Sequence, residues 1–561
     1  MALSGSTFWE VQTGGDDTNF SGAFDPGQSA GMFTDGAATS ATTAAPVFTS
    51  ASYNFVAGDV GAWVFIATAG TSFIPGWYHI DSVASNAATL NGTAGQGVLW
   101  NGTTFQVSAT SATGCATADS PTGATWSIDY SQQAASRFTY TDLSSTGVGM
   151  TASSAGFPFG KQYVGNSIVV TGGTNFTVGR YVLASVAAGV GTFIGAANLH
   201  TGAGTDSNGA GRMGGALATP GLASSFASAT AAYVFVKSGT YTLTNSTGAT
   251  SGGPVSLASG GGMSVWVGYE TYRADLGSRP TINAGAVTAI TLVATSGSNR
   301  VTWINIDLDG NGKASLTGFA PNGSGGQSVA WRMKVSNCTV TGILAPSTVA
   351  RCSLYNCSAT GCSGTSAITA GAYNAGLEAY GNTTVGIIVQ GATVVVDSIA
   401  AGNSGASSDG FQFSNSGSAI NCSAYGNGRD GFRSGAVETV CVNCIAEGNT
   451  GFGFGNGSAS TSQALNCATF NNSGGSQQNW NGFIQNVGST ILALASSPFT
   501  NAAAGDFSLN NTASAGASCR AAGFPGTFLR GATVGYLDIG AAQHADPASS
   551  GGGSAVAIFG G

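Results

Sequence analysis

Two aspartates with the same local sequence are the first candidates for catalysis in this chain. Asp409 and Asp430 each begin an Asp-Gly-Phe triplet, and Arg429 and Arg433 flank the second triplet. A glycan hydrolase needs two or three carboxylates around the scissile bond, and a polysaccharide lyase usually needs an acidic calcium cluster with an arginine or lysine base. The alternative is that each aspartate caps the turn before its Gly-Phe strand. Because carboxylates on consecutive repeats would lie too close for the spacings that glycosidases use, we predict the turn role and assign no catalytic residue.

A second acidic segment matches half of a calcium-binding loop. Asp307, Asp309 and Asn311, followed by Gly312, fit the start of an EF-hand loop. The twelfth position is Gly318, where the loop requires a bidentate glutamate. We therefore predict an ordinary turn and no cofactor, with a structural Ca²⁺ as the alternative.

The ten cysteines include one pair, Cys441 and Cys444, with the C-x-x-C spacing of zinc and redox sites. Only three histidines accompany them, and the chain has no G-x-S-x-G, P-loop or H-E-x-x-H motif. A free cysteine that points into a core behaves as a small apolar side chain. We expect free thiols at this pair, since disulfides are rare in proteins that fold in the cytosol.

The composition indicates an all-β protein with many turns. Glycine contributes 89 of the 561 residues, only 7% are charged, and short Val, Ile, Phe and Tyr runs alternate with Gly, Ser, Thr and Asn. The net charge of −8 offers no basic stripe, so we expect no nucleic-acid partner. The sequence has no signal-peptide pattern and no membrane-spanning run, which indicates synthesis in the cytoplasm without membrane insertion.

An internal repeat indicates two duplicated β modules near the N-terminus. Residues 53–83 align with residues 157–186 at an offset of about 104, with Phe55 matching Phe159 and Tyr78 matching Tyr181. Alternating runs around Gly-rich turns favour small barrels or sandwiches. We place the modules at 1–107 and 108–212, a β-helix at 213–545 with a short capping helix within 214–229, and a Gly-rich linker with an apolar tail at 546–561.

The C-terminal half contains a second repeat with the period of a solenoid coil. Five segments end at asparagines spaced 21, 24, 22 and 23 residues apart, namely Asn382, Asn403, Asn427, Asn449 and Asn472. Stacked coils would place like side chains above one another. The predicted inward column is Cys357, Leu377, Ser398, Cys422, Cys444 and Cys467. The predicted aromatic stack is Phe411, Phe432, Phe452 and Phe483. The turn asparagines are expected to bond neighbouring backbone amides and to tolerate left-handed geometry.

An outward strip three residues after the inward column is a candidate binding surface. It contains Tyr380, Tyr425, Glu447 and Phe470. Exposed aromatic rings on a rigid face suit glycan recognition, and they equally suit packing between the subunits of a trimer. We favour trimer packing.

The coil repeat resembles that of the pectate-lyase-like right-handed parallel β-helix proteins, as in NCSAYGNGRDGF and the terminal YLDIGAAQ at 536–543. The segments GGALATPG and VFVKSGTY look similar to those of phage and other viral spike proteins. This resemblance implies a protein of the virion surface: a tail spike, fibre or capsid decoration. It also implies a homotrimer whose N-terminal modules bind other virion proteins and whose β-helix binds host glycan or a partner protein. The alternatives are a polysaccharide depolymerase of the lyase or hydrolase type and a subunit of an extracellular filament, since fold alone does not assign function.

Overall fold

The chain forms two compact units, residues 1–335 and 336–561. The computed structural model describes residues 7–18, 22–68, 72–92, 98–100, 105–107, 114–227, 232–257, 263–273, 275–295, 300–321, 327–345, 351–435, 438–457, 462–474, 480–481, 483–485, 492–520, 522–523 and 538–543. The predicted linker and tail at 546–561 lie outside the described residues. Within the described part, no helix is both long and apolar enough to cross a membrane.

The first module is a closed six-stranded antiparallel barrel. Its strands in chain order are Phe33–Thr39, Val47–Ser50, Trp63–Thr68, Gly76–Ala84, Ala87–Leu90 and Thr122–Asp129. A 3₁₀ helix, Ala57–Asp59, precedes the third strand, and Val98–Trp100 pairs with Phe105–Val107 in a separate hairpin. The closing strand, Thr122–Asp129, lies beyond residue 107, where the sequence prediction ended the module. The internal sequence alignment covers only the middle strands and so gave no signal for it.

The second module repeats the strand order and pairing of the first, except that its first two strands meet only at the isolated bridge between Ser144 and Ser153. Its strands are Phe138–Thr146, Thr151–Ala152, Ser167–Gly172, Gly179–Ala187, Val190–Ile194 and Thr205–Met213. The 3₁₀ helix Lys161–Tyr163 occupies the place of Ala57–Asp59. Tyr78 donates its hydroxyl to the Ile74 carbonyl, and Tyr181 donates to the Thr177 carbonyl in the same way. The predicted duplication is therefore confirmed in the fold.

Coils of a parallel β-helix follow the modules in the first unit. Sheet 1 contains Phe8–Val11, Ala232–Lys237, Met263–Tyr269, Arg300–Ile304 and Gln327–Trp331. Sheet 2 contains Thr240–Thr242, Thr281–Asn283 and Asp307–Asp309. Sheet 3 contains Val255–Leu257, Thr291–Thr295 and Thr317–Pro321. Phe8–Val11 pairs in parallel with the strand that starts at Ala232, so the N-terminal segment joins the β-helix. Ala23–Phe24 pairs with it in antiparallel fashion.

A short helix caps this first coil. Pro220–Ala227 is α-helical, as predicted. Phe226 stacks on Trp9 with ring centroids 4.4 Å apart, and Ser224 accepts a hydrogen bond from the Ser256 amide at 3.2 Å. A further 3₁₀ helix, Pro26–Gly31, precedes the first strand of the barrel, and the Asp25 side chain caps its N-terminus.

The described residues of the second unit form seven strands in each of three parallel sheets. Sheet 1 has Arg351–Tyr355, Tyr373–Ala375, Thr393–Val396, Gly417–Ile420, Thr439–Val442, Gln463–Leu465 and Ile484–Gln485. Sheet 2 has Ser358–Thr360, Glu378–Tyr380, Ile399–Ala401, Ser423–Tyr425, Ile445–Glu447, Ala468–Phe470 and Leu492–Ala493. Sheet 3 has Thr341–Leu344, Ser366–Ala370, Val385–Val389, Phe411–Phe413, Phe432–Ser434, Phe454–Asn456 and Trp480–Asn481. The strand Lys334–Ser336 lies at the unit boundary.

A C-terminal segment follows the coils of the second unit. The antiparallel strands Phe499–Asn501 and Asp506–Leu509 flank the 3₁₀ helix Ala502–Ala504, and the short helix Gly516–Cys519 follows. We call residues 497–519 the C-terminal hairpin segment.

The predicted inward column is confirmed, since all six of its side chains have no exposed surface. The aromatic stack requires two corrections. Phe483 meets Phe454 edge-on at 5.8 Å and does not stack on it, since Trp480 is the residue paired with Phe454. Phe411 stacks on Phe432 at 4.8 Å, and Phe432 stacks on Phe454, not on Phe452, at 4.9 Å. Phe454 follows Asn449 by five residues, as Phe432 follows Asn427, so counting from the ladder asparagine identifies the right ring.

The ladder asparagines accept backbone amides of the preceding coil, as predicted: Asn427 accepts the amide of Asn403 at 3.3 Å, and Asn449 accepts the amide of Asn427 at 3.1 Å. The left-handed conformation belongs to the residues before them. Gly381, Gly402, Gly426 and Gly448 have φ between 60° and 65°. The asparagine amides are buried instead and bond from coil to coil: Asn403 donates Nδ2–H to Asn427 at 2.8 Å, and Asn427 donates to Asn449 at 2.9 Å. Left-handed asparagines do occur, at the other turn, as Asn421, Asn443 and Asn466.

Candidate functional site

Asp409 and Asp430 lie on consecutive coils, immediately before strands of sheet 3, and both are buried. Asp409 accepts a hydrogen bond from Arg429 Nε at 2.7 Å and a second from Arg429 Nη2. Asp430 accepts from Arg433 Nη1 at 2.8 Å. The two arginines keep a little over a quarter of their side-chain surface exposed. The four residues therefore form two buried carboxylates covered by two guanidinium groups.

These carboxylates stabilise the stacking of coils. The turn role predicted from the sequence involves only bonds within one coil. Asp409 accepts the amide of Asp430 at 3.2 Å, and Asp430 accepts the amide of Phe452 at 2.8 Å. Each bond crosses to the next coil, whereas an Asx turn closes on its own segment. Burial raises the pKa of Asp409 above its ordinary value, although Arg429 opposes the shift.

The predicted exposed strip on sheet 2 is covered by the chain itself. Tyr380 stacks against Phe507 at 6.2 Å, and Tyr425 contacts Phe499 and Phe507 at 6.5 and 6.0 Å. Glu447 is only 6% exposed and accepts the Ser497 hydroxyl at 3.0 Å; burial raises its pKa. A glycan or a sister subunit on this face would have to displace the C-terminal hairpin segment from Tyr380, Tyr425 and Glu447. Phe470, on the last coil of the strip, is half-buried.

An aromatic pair, with one exposed and one partly exposed ring, lies on sheet 1, where sequence reasoning did not place one. Tyr373 is 46% exposed, and its ring lies 5.9 Å from that of Tyr355. Partly exposed aliphatic side chains continue this outer face over the following coils, at Val394, Val396, Ile420, Val440, Val442 and Leu465. The signal was present in the sequence, because Tyr355 directly follows the inward Leu354 and is therefore outward.

The C-x-x-C pair lies inside the β-helix. Cys422, Cys441, Cys444 and Cys467 are free and have no exposed surface. Cys444 donates its thiol to the Val442 carbonyl at 3.3 Å, and burial raises its pKa well above the ordinary value. These thiols are side chains of the core, and across the described ranges no three His, Cys, Asp or Glu side chains converge as metal ligands.

The calcium-like segment forms a coil turn whose oxygens contact protein donors. Asp307 accepts the Lys334 amide at 2.8 Å and lies 3.3 Å from Arg279. Asp309 accepts the Asn311 amide and the Asn283 side-chain amide, both at 2.9 Å. Asn311 has a φ of 51°, in the left-handed region.

A buried charge cluster in the first unit was not predicted. Arg273 donates Nε–H to Glu10 at 3.0 Å and Nη1–H to Asp129 at 2.8 Å, and none of the three has exposed surface. Tyr269 donates its hydroxyl to Glu10. These residues come from the N-terminal strand, the first barrel and a coil, so the cluster fastens three parts of the unit. Sequence patterns gave no signal, since the bonded partners are 144 to 263 residues apart.

No family model and no curated protein matches the sequence. Solved structures similar to the chain include the pectate lyase Pel9A, at 14% identity and a TM-score of 0.36, covering 59% of this chain and 92% of that one. Another is ORF18 of Geobacillus virus E2, at 11% identity and a TM-score of 0.30, covering 45% of this chain and 52% of that one. A third is the catalytic unit of the GH87 α-1,3-glucanase from Streptomyces thermodiastaticus strain HF3-3, at 9% identity and a TM-score of 0.25, covering 63% and 86%. These likenesses carry no statement about activity; the strand pairing itself defines a parallel β-helix protein with two N-terminal β modules.

Proposed function

We propose that this chain is a structural protein of a virus particle, a tail spike, fibre or capsid decoration. Its N-terminal modules attach to other particle proteins, and its β-helix is a rigid element that contacts host surface glycan or a partner protein. The observation that carries the proposal is that the side chains that could do chemistry bond within the stacked coils instead. The aspartates, the ladder asparagines and the inward cysteines of the second unit bond between or within coils.

The contact face in this proposal is the outer face of sheet 1 in the second unit. It presents the rings of Tyr355 and Tyr373 beside a row of uncharged aliphatic side chains. Flat apolar surface with tyrosine hydroxyls suits sugar rings, and the same surface suits packing in a homotrimer. The sheet 2 strip is less suitable because the C-terminal hairpin segment already occupies it.

Proteomics of purified particles tests the particle location. We expect the chain in stoichiometric amounts in virions, and mass photometry of the purified protein should show a trimer. A strict monomer that is absent from particles would contradict the proposal.

An adsorption assay tests the contact face. The double variant Tyr355→Ala/Tyr373→Ala should reduce adsorption of particles to host cells, because it removes the exposed rings. Val340→Ala is the control, since Val340 is 39% exposed and lies in the same unit but outside sheet 1. Equal adsorption by both variants would remove sheet 1 as the contact face.

A polysaccharide depolymerase is the second candidate, because two carboxyl groups, Asp409 and Asp430, lie on consecutive coils beneath partly exposed arginines, and burial raises the pKa of Asp409. A carboxyl group whose pKa is raised by burial can act as a general acid. Incubation with host capsule or lipopolysaccharide should then shorten the polymer, and Asp409→Asn or Asp430→Asn should abolish the effect. Polymer of unchanged length with the wild-type chain would count against this candidate.

A further inference from the structure

The two N-terminal modules contain the same backbone edge, directly after the 3₁₀ helix of each. In the first module the Gly61 amide donates to the Ile80 carbonyl at 3.0 Å, and in the second the Gly165 amide donates to the Leu183 carbonyl at 2.9 Å. Both glycines have a positive φ, 86° and 96°. Gly61 and Gly165 are therefore equivalent positions, and their surroundings can be compared directly.

In the second module this edge is covered by the chain itself. The Asp25 amide donates to the Gly165 carbonyl at 2.7 Å, and Phe24 pairs with Asn166 in antiparallel fashion. The Phe24 ring has no exposed surface, and it lies so close to Gly165 that a Cβ there would come within 2.8 Å of the ring. An extended segment with an aromatic side chain therefore occupies the edge.

In the first module the same edge is open among the described residues. Val60 is 41% exposed, whereas its equivalent, Val164, has no exposed surface. A Cβ at Gly61 would meet no described atom within 4 Å, and the Gly61 carbonyl accepts no hydrogen bond in the described part of the chain. The first module thus offers an uncovered copy of the surface that holds Phe24 and Asp25 in the second.

The open edge forms one side of a cleft with a volume of about 520 Å³. Val60 and Gly61 line this cleft, and so do the exposed Ala134 and Ala135. Ligand sites typically have volumes of about 300–1,000 Å³. The apolar surface of the valine and the alanines, beside a free backbone carbonyl, suits an aromatic residue of an extended peptide.

The charge of the cleft favours an acidic partner. Its described lining contains Arg137, His79 and Lys237 and no carboxylate. Arg137 and His79 already have carboxylate partners, Asp59 at 3.6 Å and Asp81 at 2.6 Å. Lys237 is partly exposed and makes no ion pair within the described ranges, so its ammonium group is available to a carboxylate of the partner.

We propose that this cleft binds an extended segment of a partner protein in which an aromatic residue is followed by a carboxylate. The aromatic side chain packs on Val60, the segment backbone donates to the Gly61 carbonyl, and the carboxylate contacts Lys237. The inference rests on the proposed function for one point, that the N-terminal modules attach to other proteins of the particle. It adds that the first module carries the site.

Fluorescence anisotropy with the full chain and a labelled, terminally blocked peptide tests the proposal. The probe is GAFDPGQ, the sequence of residues 22–28, which contains the aromatic and acidic residues in the required order. We expect a Kd below about 1 mM, and the same peptide with Phe24→Ala should bind at least about tenfold more weakly, because aromatic anchors carry much of the affinity of such contacts. No binding of GAFDPGQ, or equal binding of the two peptides, would overturn the proposal.

Variants of the chain locate the site. Val60→Ser should weaken binding of GAFDPGQ about fivefold, because it removes apolar contact surface. Lys237→Gln should weaken it about fivefold through the lost charge-assisted contact. Val56→Ser is the matched control and should leave the affinity unchanged, since Val56 is 45% exposed at the other end of the same 3₁₀ helix and is not part of the described lining. Unchanged affinity in Val60→Ser or in Lys237→Gln would overturn the assignment to this cleft.

Two further measurements separate this inference from the proposed function. If GAFDPGQ does not bind while proteomics finds the chain in particles, the inference falls and the proposed function stands. If the peptide binds at the cleft and the chain is absent from particles, the peptide site stands and the particle role falls. An oligomer of the purified chain that Val60→Ser dissociates, measured by mass photometry, would identify a second copy as the occupant and overturn the assignment to a partner protein.

Discussion

At the scale of single residues, Arg273 shows how one cation is shared by two buried acids. Glu10 and Asp129 both contact it, and neither has exposed surface. If both acids were ionised, the cluster would hold an excess negative charge away from water, which is costly. Burial accordingly raises the pKa of Glu10 from 4.5 to about 7, although Arg273 and the Tyr269 hydroxyl oppose the shift.

The first prediction concerns the proton that Glu10 carries when its carboxyl group is neutral. Because the pKa of Glu10 is higher in the folded chain, the stability due to its proton is fully present below pH 4.5 and is lost as the pH rises through about 7. We expect the free energy of unfolding of the first unit to fall by about 3 kcal/mol over that interval. Glu10→Gln should flatten this part of the denaturant-midpoint profile. Glu270→Gln, at an exposed position, should keep the wild-type slope.

At the scale of structural elements, the asparagine ladder holds the coils of the second unit in register. Asn427 donates to the Ala400 carbonyl at 3.0 Å and to Asn449, and it accepts from Asn403. Each amide thus bonds the coil on either side of it. Since the ladder is buried, removing one member leaves neighbours without partners.

The second prediction follows for Asn427→Ala. We expect a loss of about 3 kcal/mol in the free energy of unfolding, from several unmade buried hydrogen bonds of ~1 kcal/mol each. Chemical denaturation monitored by circular dichroism measures it. Asn198→Ala, at an exposed position of the second module, should show no comparable change. Similar midpoints for the two variants would show that the ladder contributes little.

The third prediction concerns the C-terminal hairpin segment. Phe507 is 3% exposed and contacts Tyr380, Tyr425 and Phe499, so Phe507→Ala removes the centre of this contact. The expected cost is about 3–5 kcal/mol. Hydrogen exchange at 423–425 and 499–509 should become faster as the segment detaches. Asp506→Ala, at an exposed position of the same hairpin, is the control. Unchanged hydrogen-exchange rates in Phe507→Ala would mean that other contacts hold the segment.

At the scale of the whole molecule, burial decides the reactivity of the thiols. Nine cysteines of the described part are free and buried, in the first barrel, in the coils and in the short helix Gly516–Cys519. Burial raises the pKa of both Cys115 and Cys519 to about 12. The thiolate is the reactive form, so a buried thiol with a raised pKa is slow to react.

The fourth prediction is that thiol labelling reports unfolding. With iodoacetamide at pH 8, the native chain should leave these nine cysteines unmodified because their burial keeps the reagent away from the sulfur, and the denatured chain should react at all of them. Peptide mass spectrometry identifies the sites. Rapid native labelling of Cys441 or Cys444 would contradict their place in the core.

The sequence determined the repeat and therefore the fold. The asparagine period, the inward cysteine column and the module duplication are local patterns of alternation and spacing, and the structure contains all three. Alternation shows which side chains point outward, but it does not show what covers them. For that reason Tyr380, Tyr425 and Glu447 were predicted as an exposed strip.

Only the tertiary structure decided the partners that come from distant segments. The hairpin that covers the strip is about 50 to 130 residues from the tyrosines and the glutamate it contacts, and Glu10 meets Arg273 across 263 residues. The bonds that Asp409 and Asp430 make across coils also depend on how the turns align in space. Such pairings leave no periodic trace, because each occurs once and is set by packing.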